Sequence, residues 1–289
     1  MKEKIMMRIK TLNELLEENG KNFKVEYVQH WKINKELEGY AILKQDSDVS
    51  PVIDNDDNIM QMSDEELIEY MENILEKDQP TLEDVKNIMK NKDYVKENLY
   101  MNLISLPINI EKLKKEDISF IPIEDMVITF YVHIEFGGNI GKIRMRNSLF
   151  KALNLTKEEA FLYAKENLEK NYNIVDIEEI IKERFGYDAS QEETHSEVRM
   201  LVVTTKDKDE GAALMLIEKV MKELAEHFSS KFLILPSSIH EFIAVPYTTQ
   251  NDINSCKKIV HEVNSLVLSP DEYLSDNVFV WENGELHKA

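Results

Sequence analysis

The stretch LILPSSIHEFIAVPY, from Leu233 to Tyr247, contains two apolar runs that are separated by a short polar segment. The runs KFLILP and EFIAVP are apolar at odd and even positions alike, which predicts strands that are buried on both faces. Pro236 fixes the backbone where the first run ends, and the hydroxyls of Ser237 and Ser238 can bond to the backbone of a turn. The pattern therefore favours a buried antiparallel hairpin.

Helices and hairpins alternate along the rest of the chain. Capped helix starts are predicted at Ser63, Thr81 and Thr156, because an acidic residue follows each of them three positions later. The segment ISFIPIEDMVITFYVHI (118–134) is rich in β-branched and aromatic residues, and a glycine turn connects it to KIRMR (142–146). These connections predict an α+β fold with mostly antiparallel sheet covered by helices, rather than a doubly wound parallel sheet.

Two further segments have the period of an amphipathic helix. Residues 92–104 are predicted to form a helix that ends before Pro107. Residues 210–228 are predicted to form a long helix with one apolar face, made by Leu214, Ile217, Met221 and Leu224.

The polar segment GYDASQEETHS (186–196) is the candidate boundary within the chain. It divides an N-terminal α+β region, residues 1–185, from a C-terminal α+β region, residues 197–289. A length of 289 residues fits two domains of ordinary size or one large domain. The alternative is therefore one continuous domain with a loop at 186–196.

The chain is strongly acidic, with 55 Asp and Glu residues against 35 Lys and Arg residues and a formal net charge of −20. This charge repels phosphate backbones and anionic membranes, and no stripe of Lys and Arg reverses it locally. We therefore expect neither direct nucleic-acid binding nor membrane binding. A basic partner protein is compatible with the charge.

One cysteine, Cys256, allows neither an intramolecular disulfide nor a Cys-x-x-Cys zinc site. The N-terminal segment is charged throughout and has no signal-peptide core, and no apolar run approaches the length of a membrane span. The sequence therefore predicts a cytoplasmic protein. The glycines form no phosphate-binding loop and no dinucleotide turn, so no cofactor is expected.

Ser237, Ser238, His240 and Glu241 are the candidate catalytic residues, because serine, histidine and a carboxylate together can perform acyl transfer. Three observations favour a structural role instead. A triad does not usually take all its members from one turn, no Gly-x-Ser-x-Gly elbow surrounds the serines, and His240-Glu241 does not continue into His-Glu-x-x-His.

The weak candidate metal ligands are Asp54, Asp56, Asn58 and Glu65, which occupy positions 1, 3, 5 and 12 of a calcium-loop spacing. Position 6 is Ile59, where that loop requires glycine, and the preceding VSPVI cannot form the entering helix. An acidic loop that leads into a capped helix is the favoured interpretation, and no metal is expected.

Four stretches in order resemble an uncharacterised bacterial family: VSP (49–51), LTKEEAFLYAKEN (155–167), ILPSSIHEFIAVP (234–246) and VNSLVLSPDEYLSDNVFVW (263–281). The family is known as a domain of unknown function from anaerobic gut Gram-positive bacteria. The chain is more loosely similar to a second uncharacterised family, from bacilli. Pro-Ser-Ser-Ile-His-Glu is the most specific part of a resemblance that extends over nearly the whole chain. In residues 54–58 an Asp/Asn cluster replaces a tyrosine-containing segment of the family. The resemblance implies a single cytosolic unit, no known activity and no catalytic residue.

Three functional hypotheses remain open. The first is a non-enzymatic interaction or regulatory protein, which fits the acidity and the lack of a recognised catalytic signature. The second is a hydrolase-like enzyme centred on the turn that holds Ser237, Ser238, His240 and Glu241. The third is an acidic DNA-mimic inhibitor, which would present ordered carboxylates to a nucleic-acid-binding protein.

Overall fold

The computed structural model describes residues 2–45, 47–77, 80–185, 199–228, 231–248 and 252–289. The chain forms two compact units, one made of Met1–Val95 with His133–Lys142 and the other of Lys96–Val132 with Ile143–Ala289. The predicted loop at 186–196 lies outside the described residues, so a domain boundary there stays a prediction.

The first unit combines helices with a three-stranded antiparallel sheet of order β1-β2-β3. Its helices are α1 (Lys2–Glu18), α2 (Asp57–Gln61), α3 (Asp64–Glu76) and α4 (Leu82–Lys90). Its strands are β1 (Phe23–Lys32), β2 (Lys35–Lys44) and β3 (Val52–Asp54). The short strand β3 follows Pro51 and lies at an edge of the sheet, where proline is tolerated.

Helix α1 contributes one apolar face to the core of the first unit, through Ile5, Ile9, Leu12 and Leu16. The amide of Asn13 fixes this helix to β1, because it both donates to the carbonyl oxygen of Val25 and accepts from its N–H, at 2.8 Å each. Gly39 is required in β2, because a Cβ there would lie 2.0 Å from the carbonyl oxygen of Ile53.

A four-stranded sheet follows along the chain, in which β6 pairs with β4, β5 and β7. Its strands are β4 (Leu99–Ser105), β5 (Phe120–Ile123), β6 (Met126–Phe136) and β7 (Asn139–Arg144). The helices along this part of the chain are α5 (Lys92–Asn98), α6 (Leu106–Lys115), α7 (Asn147–Leu153) and α8 (Lys157–Leu168). α5, β6 and β7 each include residues of both units.

A six-stranded sheet of order β13-β12-β10-β11-β9-β8 follows, and neighbouring strands in it are antiparallel. Its strands are β8 (Asn173–Asp176), β9 (Leu201–Thr204), β10 (Lys231–Pro236), β11 (Glu241–Pro246), β12 (Phe279–Glu282) and β13 (Glu285–Lys288). The helices are α9 (Ile177–Phe185), a 3-10 helix (Gly211–Leu216), α10 (Glu218–Phe228) and α11 (Ile253–Leu266).

The predicted hairpin is β10 and β11, and it occupies the centre of the six-stranded sheet. Phe232, Ile234, Phe242 and Ala244 share one face of the hairpin and are fully buried, and Leu233 and Val245 on the other face are buried as well. The apolar character of both runs on both faces is thereby explained. The prediction of an α+β fold with antiparallel sheets is confirmed.

Residues 92–104 do not form one helix, so that prediction was wrong. α5 ends at Asn98, and the next seven residues form β4, which pairs with β6 along its whole length. The sequence LYMNLIS is mostly apolar on both faces, as a strand that is buried on both faces requires. Pro107 belongs to the first turn of α6, where its missing N–H costs no hydrogen bond.

Residues 210–228 are also divided, contrary to the prediction of one long helix. The 3-10 helix ends before Ile217, which has extended backbone (φ −95°, ψ 106°), and α10 begins at Glu218. The predicted apolar face is buried nevertheless. The small residues Gly211, Ala212 and Ala213 allow the tighter coil to pack fully inside the protein.

Within the described ranges, none of the helices has both the length and the apolar character that a transmembrane span requires.

Candidate functional site

The turn between β10 and β11 is held together by its own serines. The hydroxyl of Ser238 accepts the backbone N–H of His240 at 3.0 Å, and the N–H of Ser238 donates to the carbonyl oxygen of Glu241 at 3.2 Å. The hydroxyl of Ser237 donates to the carboxylate of Glu241 at 3.4 Å. Among the described residues, neither serine hydroxyl bonds to the imidazole of His240.

The imidazole of His240 faces the loop 205–210 that precedes the 3-10 helix. Its Nδ1 lies 3.1 Å from Oδ1 of Asp209 and 3.1 Å from the backbone nitrogen of Glu210. The hydrogen bond to Asp209 raises the pKa of His240 above its ordinary value, against a smaller opposing effect of burial. The carboxylate partner of His240 is thus Asp209, which lies 31 positions earlier in the chain, and not its neighbour Glu241.

The loop 205–210 has an unusual backbone. Lys208 and Glu210 adopt left-handed conformations (φ 58° and 52°), which are uncommon for residues other than glycine. The carbonyl oxygen of His240 accepts the N–H of Gly211 at 3.0 Å and the hydroxyl of Thr204 at 2.8 Å. The backbone of the hairpin turn therefore fixes both ends of the loop.

The side chain of Glu210 is buried in a network that we call the polar cluster: Asn102, Thr129, Tyr131 and Glu210. The amide of Asn102 donates to the Glu210 carboxylate at 2.9 Å and accepts from the hydroxyl of Thr129. Burial raises the pKa of Tyr131 well above its ordinary value, and a hydrogen bond to Glu210 adds to the effect. A buried carboxylate is costly unless its oxygens have partners, and this network supplies them.

Sequence reasoning did not identify Asp209, Glu210 or the polar cluster. The segment KDKDEG (206–211) has the composition of a solvated turn, since runs of charged residues usually lie at the surface. The available signal was the presence of Asn102 and Thr129 inside apolar strands. These two residues are directly opposite each other in β4 and β6.

The four candidate metal ligands have separate surroundings in the first unit. Asp54 contacts His30 at 2.6 Å and Lys32 at 2.5 Å; burial raises its pKa, but these hydrogen bonds outweigh that effect and the pKa is lowered. Asp56 caps α2 by accepting the N–H of Ile59 at 2.9 Å. Asn58 and Glu65 are exposed. No group of three or more His, Cys, Asp or Glu side chains within the described ranges is arranged to hold a metal ion.

Two surface clefts have linings that contain no residue of the hairpin turn. A cleft of about 640 Å³ between α8 and α10 is lined by three lysines, four glutamates and His227. Its charges pair with one another, as in the 2.6 Å contact between Lys222 and Glu218. A cleft of about 530 Å³ in the first unit adjoins Arg8, whose guanidinium already binds Asp64 and the carbonyl oxygens of Ile59 and Met62.

Helix α11 has exposed apolar residues beside its buried ones. Cys256 and Val260 are buried in the core of the six-stranded sheet, and burial raises the pKa of the Cys256 thiol. Three exposed residues of the helix and the residue that follows it are 53%, 40%, 83% and 79% exposed and form what we call the α11 apolar face: Ile259, Val263, Leu266 and Val267.

The chain belongs to a class of proteins without an assigned activity. Residues 2–283 match the model of DUF5688, a family of unknown function, and the protein is a member of that family. Neither the search of curated proteins nor that of solved structures found a match. The predicted resemblance to an uncharacterised family is confirmed at this level. The origin in gut bacteria and the signature string stay predictions.

Proposed function

We propose that this protein is a non-enzymatic interaction protein of the cytoplasm, and that the α11 apolar face binds a basic partner protein. The proposal depends on the exposure of Leu266 and Val267, at 83% and 79%. Contiguous apolar side chains at a surface are typical of binding sites, and burial of each contributes roughly 1.5–3 kcal/mol. The lone cysteine supports the cytoplasm, because disulfides are rare in reducing compartments.

The three helical residues of the face form one surface. Ile259, Val263 and Leu266 are four and three positions apart, so their side chains are neighbours along the same side of α11. The buried residues Cys256 and Val260 hold the helix against the sheet. The α11 apolar face borders this buried stripe, because Ile259 lies three positions after Cys256 and Val263 three positions after Val260.

Charge favours a basic partner over a second copy of the chain. Each copy carries −20, so two copies repel each other before their apolar faces can meet. Glu262 is exposed beside the face, three positions after Ile259 and four before Leu266. A partner that places apolar anchors on the face and a Lys or Arg beside Glu262 satisfies both features.

Site-specific crosslinking in the native host tests this proposal. A photoreactive amino acid at position 266 is compared with one at position 162, since Leu162 on α8 is also exposed, at 56%. We expect an adduct with a positively charged protein at position 266 and not at position 162. An adduct with a second copy, an adduct with an acidic protein, or no adduct specific to position 266 would overturn the proposal.

Binding of the purified partner then separates a functional contact from a chance one. Leu266→Glu should weaken binding at least tenfold (about 1.4 kcal/mol), and the matched variant Leu162→Glu should leave it unchanged. Raising the salt concentration should also weaken binding, since it screens the attraction between opposite charges. Equal binding by wild type and Leu266→Glu would contradict the proposal.

A further inference from the structure

One atom of His240 faces two groups that it cannot satisfy together. Nδ1 lies 3.1 Å from the backbone nitrogen of Glu210 and 3.1 Å from Oδ1 of Asp209. An imidazole nitrogen accepts a hydrogen bond only when it carries no proton and donates one only when it does. Each of the two contacts is therefore a hydrogen bond in only one protonation state of Nδ1.

We propose that His240 is a proton-operated switch of the loop 205–210. In the uncharged ring, Nδ1 accepts the N–H of Glu210 and holds this residue in its left-handed conformation. In the charged ring, Nδ1–H donates to Asp209, and the N–H of Glu210 loses its acceptor. Proton uptake thus replaces the hydrogen bond from the N–H of Glu210, which supports the polar cluster, with a hydrogen bond to Asp209 at the surface.

The groups that face His240 favour proton uptake by its ring. Asp209 and Glu210 approach it from the loop, and Glu272 approaches it from the segment after α11. All three attract a proton to the ring, and the hydrogen bond to Asp209 is the largest of their effects. The side chains of His240 and Asp209 are 32% and 46% exposed, so protons from solvent reach them.

The loop can transmit the change inward because Glu210 has two roles. Its backbone N–H contacts His240, and its buried carboxylate accepts from Asn102 and bonds to Tyr131. The bonds from Gly211 and Thr204 to the carbonyl oxygen of His240 do not depend on the ring proton. These two bonds therefore hold Thr204 and Gly211, at the two ends of the loop, in both protonation states.

The sign of the pH dependence follows from the raised pKa of His240. A group whose pKa is higher in the folded state contributes stability that is complete below its unfolded value of about 6.5 and is lost as pH rises through the folded pKa. Asp209→Asn removes the cause of the shift. The difference in unfolding free energy between wild type and Asp209→Asn should therefore shrink as pH rises through this window.

Nuclear magnetic resonance of the full chain from about pH 5 to about pH 8 tests the switch. We expect the amide resonance of Glu210 to shift with the midpoint of the His240 ring, and the neutral ring to carry its proton on Nε2. Asp209→Asn should lower both midpoints together. Asp276→Asn is the matched control, because Asp276 contacts a different histidine, His261, at 3.3 Å.

Two results would overturn the proposal. One is a Glu210 amide resonance that does not follow the His240 titration, and the other is a neutral ring that keeps its proton on Nδ1. Both are read from folded wild-type protein. The result therefore does not depend on whether a variant folds.

Discussion

Gly211 lies where the 3-10 helix begins, directly against the backbone of the hairpin turn. A Cβ at this position would lie 2.5 Å from the carbonyl oxygen of His240 and 2.7 Å from the backbone nitrogen of Thr205. We expect Gly211→Ala to lower the unfolding free energy by about 3 kcal/mol, because the backbone must move to admit the methyl group. Denaturant unfolding measures the loss.

Gly20→Ala is the control for that substitution. Gly20 has a left-handed backbone (φ 63°), but a Cβ there would meet no atom within 4 Å. Its replacement should cost about 1 kcal/mol, from backbone strain alone. Equal losses for the two variants would contradict a steric role for Gly211.

Individual residues were predictable where their partners are close in sequence. The hydroxyls of Ser237 and Ser238 bond within the turn, as their positions indicated. The charged partner of His240 was not predictable, because Asp209 is brought to it only when β9 pairs with β11. A pattern along the chain carries no information about a contact that the sheet creates.

At the scale of elements, the capping box that begins α8 can be tested directly. The hydroxyl of Thr156 accepts the N–H of Glu159 at 3.1 Å, and the carboxylate of Glu159 accepts the N–H of Thr156 at 2.8 Å. Thr156→Ala should cost about 1 kcal/mol of stability in thermal unfolding, because an N–H of the first turn loses its acceptor. Thr156→Ser keeps the hydroxyl and should cost less than half as much, so equal costs would exclude capping as the cause.

Helix starts and hairpins were the elements that the sequence predicted well. The boxes at Ser63, Thr81 and Thr156 are all present, because capping depends on residues only three positions apart. β4 was missed because α5 ends at Asn98 and β4 begins at the next residue, Leu99, with no loop between them. The break at Ile217 was missed because the helical period of the apolar residues continues across it.

At the scale of the whole molecule, the charge of −20 should keep the protein monomeric at low ionic strength. At about 1 M salt the screening length falls to roughly 3 Å, and the α11 apolar faces of two copies can then meet. We expect sedimentation velocity to show weak association only at high salt, and none for Leu266→Glu. Association at low salt that disappears on addition of salt would contradict this expectation.

The fold class was predictable from the sequence, but the grouping of residues into two units was not. Residues 133–142 belong with the first 95 residues, although 37 residues lie between them. Composition and periodicity describe neighbours along the chain. A unit made of two separate segments of the chain therefore cannot be recognised from composition and periodicity.

The strand order of the six-stranded sheet has a consequence for how the chain can assemble. Each hydrogen-bonded pair joins two strands that follow each other in the chain or that have one other strand between them in the chain. β10 and β11 lie at the centre of the sheet, and β8 and β13 lie at its edges. If the central hairpin forms first, each further strand can be added to an open edge of the growing sheet. No strand has to be inserted between two strands that are already paired. No connection between consecutive described strands of this sheet exceeds 32 residues. Because the entropic cost of closing a loop grows only slowly with its length, each closure adds a modest cost.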